Sequence, residues 1–276
     1  MSRTVLALPS VNEAGNPEPT VNRAVQIRDV SFSWTATQPN VVEIPHLAVE
    51  PREKLFLSGP SGSGKSTLLS LLSGVITPQH GEIRILDNVI SSMSASRRDR
   101  FRADHIGYIF QMFNLVPYLT VVENITLPLR FSKRRWRKAG GREAPAEAVR
   151  LLQHLGMTES DLLRRPVTEM SVGQQQRVAA ARALIGCPEL VIADEPTSSL
   201  DADNREAFIQ LLFQECEREG TTLIFVSHDR SLAGMFDRVE ELGAGVECRV
   251  SGVEKNDALP ESRKPKPDAQ RKAVTE

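Results

Sequence analysis

Nine consecutive residues, Gly59-Pro60-Ser61-Gly62-Ser63-Gly64-Lys65-Ser66-Thr67, restrict this chain more than any other stretch. They fit the pattern G-x-x-x-x-G-K-[ST], with Gly59, Gly64, Lys65 and Ser66 at its fixed positions. The flanks are the ones such a loop requires. Lys54 to Ser58 (Lys-Leu-Phe-Leu-Ser) reads as a short buried strand, and Lys65 to Ser73 as an apolar-periodic helix. Glycines let the backbone close around an anion because no Cβ blocks the approach. The following helix aims unpaired N–H groups and the positive end of its dipole at the same place. Lys65 is then positioned for β- and γ-phosphates, and the Ser66 hydroxyl for Mg²⁺. A chance Gly/Ser turn fits the letters but not the strand and helix on either side. The stretch predicts a nucleoside-triphosphate site.

The bulk composition excludes several classes. With 40% hydrophobic and 25% charged residues in 276, the chain can bury a sizeable core. A formal net charge of −1 gives no global attraction to nucleic acid, and none is expected as a partner. Cys187, Cys216 and Cys248 have neither metal-ligand spacing nor an even count, which fits a reduced, cytoplasmic setting. No apolar run approaches the roughly 18–20 residues of a membrane span. The apolar patch in Met1 to Pro9 is too short for a signal peptide, so a soluble chain is expected.

Residues 1–22 lack periodicity and read as a flexible leader. Ala24 to Trp34 and Val41 to Val49 read as strands, as do Gly81 to Leu86 and Ile106 to Phe110. From Met112 to about Glu169 short helices are expected, broken by Pro117, Pro128, Pro145 and Pro166. Within that stretch Arg130 to Arg142 is strongly basic; a solvated face and a contact with anionic lipid both fit it, and nucleic acid is a third, weaker reading for one short run in a chain with so little net charge. Gln174 to Leu184 predicts a helix, Leu190 to Ala193 a buried strand, and Asn204 to Glu217 an amphipathic helix. Thr222 to Val226 follows as a strand, then a short helix over Ser231 to Phe236 and a last strand over Arg238 to Leu242. Beyond about Val253 the chain is polar and carries prolines, as disordered tails do. Strands alternating with helices after a phosphate loop give an α/β fold with a mostly parallel sheet.

A second motif narrows this class. Met170-Ser171-Val172-Gly173-Gln174, followed by Gln175-Gln176-Arg177, resembles the signature of ATP-binding cassette (ABC) ATPases, usually Leu-Ser-Gly-Gly-Gln. Leu190 to Pro196 resembles the family's Walker B strand, Ser199-Leu200-Asp201 its D-loop, Gln111 its Q-loop glutamine and His228 its switch histidine. The resemblance covers about residues 24–243, in family order and spacing. It implies a P-loop ATPase core with an N-terminal antiparallel β part and an inserted helical subdomain. The expected boundaries are 23–245 for the ATPase domain, about 112–186 for the insert, and 246–276 for a disordered tail.

The resemblance implies ATP and Mg²⁺ as cofactors, with Ser66, Gln111 and Asp194 holding the metal. Asp194 ends an apolar strand, as a residue holding a metal-bound water does, and Glu195 beside it can orient or deprotonate the attacking water. Gly59, Pro60, Ser61, Gly62, Ser63, Gly64, Lys65, Ser66 and Thr67 are expected around the phosphates. Glu195, His228, Gln111 and Lys65 form the catalytic set. Trp34 is placed to stack on adenine, with Phe32 as the fallback. Ser171, Gly173 and Gln174 are expected to touch the nucleotide of a partner subunit, which makes a homodimer necessary for turnover. Val172 departs from the usual glycine; a β-branched residue there is strained if the backbone needs positive φ.

Ile106 to Pro117 followed by Leu119 to Ile125 resembles the subfamily of lipoprotein-releasing, macrolide-efflux and cell-division ATPases. That implies a peripheral subunit on the cytoplasmic face of the inner membrane, driving a separate permease with a periplasmic or extracellular domain. Phe113, Leu115, Tyr118 and Leu119 are the expected receptors for the permease's coupling helix. A regulatory or mechanotransmission subunit acting on a membrane partner, with little net transport, fits the same residues.

Overall fold

The computed structural model describes residues 23–157, 165–243 and 248–251; the expected leader and nearly all of the expected tail lie outside them. Two sheets organise the chain. The first is four-stranded and antiparallel, in the order β2-β1-β4-β5, from β1 (Val25–Phe32), β2 (Val42–Val49), β4 (His80–Ile85) and β5 (Asn88–Val89). The second is six-stranded, in the order β10-β9-β3-β8-β7-β6. Its members β3 (Lys54–Ser58), β6 (Ile106–Ile109), β7 (Leu190–Asp194), β8 (Thr222–Val226) and β9 (Arg238–Leu242) run parallel.

Side-chain alternation assigns each central strand to two cores at once. On β3, Phe56 faces one apolar cluster while Leu55 and Leu57 face the other. Val191 and Ala193 of β7 and Leu223 and Phe225 of β8 join Phe56; Leu190, Ile192, Ile224 and Val226 join Leu55. The first core packs against helices of the middle region, the second against the antiparallel sheet and α1 (Lys65–Leu72). Phe56 stacks on Phe225 with ring centroids 6.2 Å apart and tilts against Phe236 at 5.0 Å. Truncating it to Ala removes about 3–5 kcal/mol of stability. The phosphate loop therefore springs from a central strand buried on both faces.

Between the fourth and seventh strands lie α2 (Ala95–His105), α3 (Val121–Thr126), α4 (Lys133–Lys138), α5 (Ala144–His154) and α6 (Val172–Leu184). The long α7 (Ala202–Glu219) follows β7, starting at the Asp201 cap and ending at left-handed Gly220. Thr120 and Glu123 form a reciprocal capping box on α3. Asn124, fully buried, accepts from Val116 N–H and donates to the carbonyls of Val116 and Leu119, so the Pro117–Tyr118 bend is fixed from below.

Three expectations need correction. Pro145 does not break a helix; it lies in the first turn of α5, where the absent N–H costs nothing. Arg238 to Leu242 is not the last strand, because β10 (Cys248–Ser251) pairs antiparallel with it, inside the segment expected to be tail. An open sheet edge, not local propensity, selects that short polar segment. Phe113 is only 7% exposed and belongs to the first core, so it is not a surface receptor; Met112 and Tyr118, at 80% and 85%, are exposed large apolar side chains there.

The basic run divides by helix face. Ser132, Arg135 and Ala139 point inward, and the Arg135 guanidinium donates to the carbonyls of Ile185 (2.9 Å), Ala183 (2.8 Å) and Ile106 (3.3 Å). Burial lowers its pKa to about 10, leaving it charged at neutral pH. Arg134 and Lys138 pair with Glu189. Although burial opposes its ionisation, hydrogen bonds from His105, Arg134 and Lys138 hold Glu189 well below the usual carboxylate range.

Candidate nucleotide site

A cleft of about 670 Å³ opens at the carboxyl ends of β3, β6, β7 and β8. Ser61, Gly62, Gly64, Lys65, Ser66 and Thr67 line one side; Gln111, Asp194, Glu195 and His228 line the other, with Val41 at the rim. The loop's own packing dictates its glycines. Gly64 caps α1 at φ 86°, and a Cβ on it would lie 2.6 Å from the Val41 carbonyl oxygen. A Cβ on Gly59 would lie 2.7 Å from the carbonyl of Leu242. Lys65, the first residue of α1, turns its ammonium back to donate to the carbonyls of Gly59 (2.7 Å) and Pro60 (2.9 Å). The N–H groups of Lys65, Ser66 and Thr67 open the helix with no acceptor inside it, as helix geometry requires.

Asp194 and Glu195 are adjacent but differently held. Asp194 ends β7 in its parallel register with β8 and is partly buried. Burial and the Glu195 charge push its carboxyl above the ordinary value, and Lys65 pulls it partly back. Burial, reinforced by the Asp194 carboxylate, pushes the Tyr108 phenol upward. Glu195 takes a left-handed backbone, φ 44°, and its N–H donates to the Val226 carbonyl at 2.9 Å. That turn sends its carboxylate to His228 Nδ1, 2.6 Å away.

The other expected residues lie elsewhere. Gly59, Pro60 and Ser63 build the loop without lining the cleft, and the Ser63 hydroxyl is buried with no hydrogen-bond partner. Trp34 does not line it either; it is 58% exposed and meets the buried Phe32 edge-on, 5.1 Å between centroids, so Phe32 has no free face for a base. Ser171, Gly173 and Gln174 stand outside the cleft at the start of α6. There Ser171 accepts from Gln174 N–H while the Gln174 side chain accepts from Ser171 N–H. Val172 is the first helical residue and has no positive φ, so the expected strain is absent.

Three side chains that the motifs did not single out tie these parts together. Gln176, 1% exposed, donates to the Pro196 carbonyl at 2.8 Å, bracing the turn after Glu195. Arg182, 8% exposed, donates to the carbonyls of Phe113 and of Asn114 (2.7 Å), two left-handed residues that follow Gln111. Arg205 pairs with Asp229, next to His228. A polar residue on the apolar face of a helix is the sequence signal at Gln176 and Arg182; Arg205 carries none.

A parallel sheet with a phosphate loop after its central strand β3 and an Asp-Glu pair at the end of β7, with β8 between them, defines a P-loop nucleoside triphosphatase. The ABC transporter family profile matches residues 42–198, and the chain belongs to that family. An uncharacterised ABC transporter ATP-binding protein of Mycobacterium tuberculosis is 40% identical over 229 residues, 82% of this chain and 90% of that protein. The lipoprotein-releasing system ATP-binding protein LolD of Psychrobacter arcticus is 41% identical over 192 residues, covering 70% and 82%. Among solved structures, a dimer of the ATP-binding cassette MJ0796 of Methanocaldococcus jannaschii, bound to ADP and Pi in a post-hydrolysis state, superposes with a TM-score of 0.71. It is 33% identical and covers 80% of this chain and 95% of its own. The chain is an ABC transporter ATP-binding subunit with ATPase activity.

Proposed function

We propose that this subunit hydrolyses ATP in a head-to-tail homodimer and drives a separate membrane permease in export or lipoprotein extraction. The 2.6 Å contact between Glu195 and His228, beside Asp194 and opposite Lys65, carries the catalytic part of this reading. Lys65 releases the Gly59 and Pro60 carbonyls and turns to the β- and γ-phosphates, where the free N–H groups of α1 also point. Ser66, Gln111 and Asp194 present hard oxygen donors to one cleft, and a divalent cation held there would offset the adjacent Asp194 and Glu195 charges. Mg²⁺ bound there supplies charge neutralisation on the phosphate oxygens.

Glu195 orients the attacking water and takes its proton; His228 holds the carboxylate in position. Trp34 offers an exposed indole face for the adenine, and Phe32 beneath it fixes the ring. Ser171, Gly173 and Gln174 close on the nucleotide of the other subunit. The dimeric MJ0796 cassettes support that arrangement. The kinship to LolD supports the permease and the cargo class, and Tyr118 with Met112 offers the apolar surface for docking it. No helix among the described residues is long and apolar enough to cross a membrane, so the proposed place at the inner membrane is peripheral.

Glu195→Gln tests this directly. Hydrolysis should fall by roughly 10²- to 10⁴-fold, the range for loss of a general base. The variant, incubated with ATP and captured from detergent-solubilised membranes, should come out as a dimer with one permease. Normal turnover overturns the catalytic assignment, and capture without any membrane protein overturns the transport assignment.

A further inference from the structure

We propose that the outward face of α4, extended by Arg97 and Arg100 of α2, is a docking surface for an anionic lipid bilayer. The segment from Arg130 to Arg142 contains no acidic residue. Its inner side chains, Arg134, Arg135 and Lys138, are spent on Glu189 and on backbone carbonyls, so they fasten the helix to the ends of β6 and β7. Its outer side chains are left over. Lys133, Trp136 and Arg137 lie on one helix face by their three- and four-residue spacing. Among the described residues, the side chains of Lys133, Arg137 and Arg142 make no ion pair or hydrogen bond. Phe131 and Trp136 are 68% and 43% exposed beside them.

The neighbouring helix extends the patch. Asp104 of α2 accepts the Ser132 hydroxyl and its carbonyl accepts from Arg134, so this stripe of α2 meets α4. Arg97 and Arg100 continue the same stripe, seven and four residues earlier, exposed and likewise without an ion pair among the described residues. Cations flanking exposed aromatics match the headgroup region, where amphipathic rings sit at the water boundary and basic side chains meet negative lipid charge. A nucleic-acid strand fits less well, because strand binding uses a basic groove and this is the outside of a short helix. Two anchored ends and an uncompensated middle make the surface rigid as well as basic. This inference is independent of the catalytic roles proposed above.

The test uses the full chain and protein-free vesicles, so that no permease mediates binding. Sedimentation with vesicles of phosphatidylcholine and phosphatidylglycerol should show binding that grows with the anionic fraction and weakens with salt. Each cation near such a surface raises partitioning roughly fivefold, so K133Q/R137Q should lose about 20-fold or more. Both positions are exposed, and an unchanged thermal melt verifies the fold. In a W34F background Trp136 is the sole indole, and its emission should shift to shorter wavelength on binding. Equal binding to pure phosphatidylcholine, wild-type binding by the double variant, or no spectral shift overturns the proposal. Tighter binding to duplex DNA than to vesicles at the same salt overturns it in favour of nucleic acid.

Discussion

The phosphate loop and the signature turn both begin a helix and both carry glycine, yet their glycines answer to different constraints. Gly64 sits at φ 86° with the Val41 carbonyl where a Cβ would go, so its own chain forbids any other residue. Gly173 has no positive φ, and a Cβ there would meet Arg177 at 3.5 Å and Leu200 at 3.8 Å, ordinary contact distances. Nothing among the described residues requires that glycine. A small residue kept clear on an exposed helix start makes sense against a second surface. The glycines of the first answer to their own chain; the proposed dimer leaves Gly173 of the second to answer to a partner subunit.

The sharpest way to break this contrast is Gly64→Ala. A left-handed Ala costs about 1–2 kcal/mol, and the backbone clash adds to it. Both the melting temperature and ATP affinity should fall steeply, and a variant with wild-type values of both ends the distinction. Gly173→Ala should keep stability within about 0.5 kcal/mol and keep monomeric ATP binding. Its dimer-dependent turnover should drop by about tenfold, as when about 1.4 kcal/mol of transition-state contact is lost. Calorimetry beside steady-state kinetics separates the two.

Asp194→Asn probes the cleft's electrostatic cost. The native carboxyl titrates above its unfolded value, so the folded state holds the proton more tightly and stability falls as pH rises past about 4. The Asn variant should therefore melt higher than the parent near about pH 7.5 without nucleotide, and lose that advantage below about pH 4, where both carry a neutral group. Equal melting temperatures at neutral pH contradict the strained-carboxylate picture. Val172→Gly should do least: a helical residue replaced by Gly costs about 0.5–1 kcal/mol, with turnover within about twofold. A large gain in activity would show that Val172 does obstruct the signature after all.

Much of the fold was legible because it rests on local chemistry. Lys-Leu-Phe-Leu-Ser before Gly59 announces a buried strand, and each central strand keeps a two-residue alternation that feeds the two cores. The make-up of the cleft was legible too: the phosphate-loop pattern and the family resemblance together point to Lys65, Gln111, Asp194, Glu195 and His228, which the fold collects in one place. What escaped depends on distant partners. Arg135 reads as surface charge until the carbonyls of Ile106, Ala183 and Ile185 are known to converge on it. Phe113 reads as exposed because it follows Gln111 and Met112, yet its left-handed backbone, φ 58°, turns it into the core. The strand after β9 answers to an edge that exists only once the sheet has formed.

Arg182 gives α6 the properties of a lever. One end of this helix is bolted to the turn after Gln111 through the Phe113 and Asn114 carbonyls; Ser171 stands at the other, eleven residues away. At 1.5 Å per residue the arm is about 16 Å long. Tilting it by about 10° at Arg182 swings Ser171 through about 3 Å, the length of one hydrogen bond. A modest displacement beside Gln111 is thus enough to make or break a contact at the far tip.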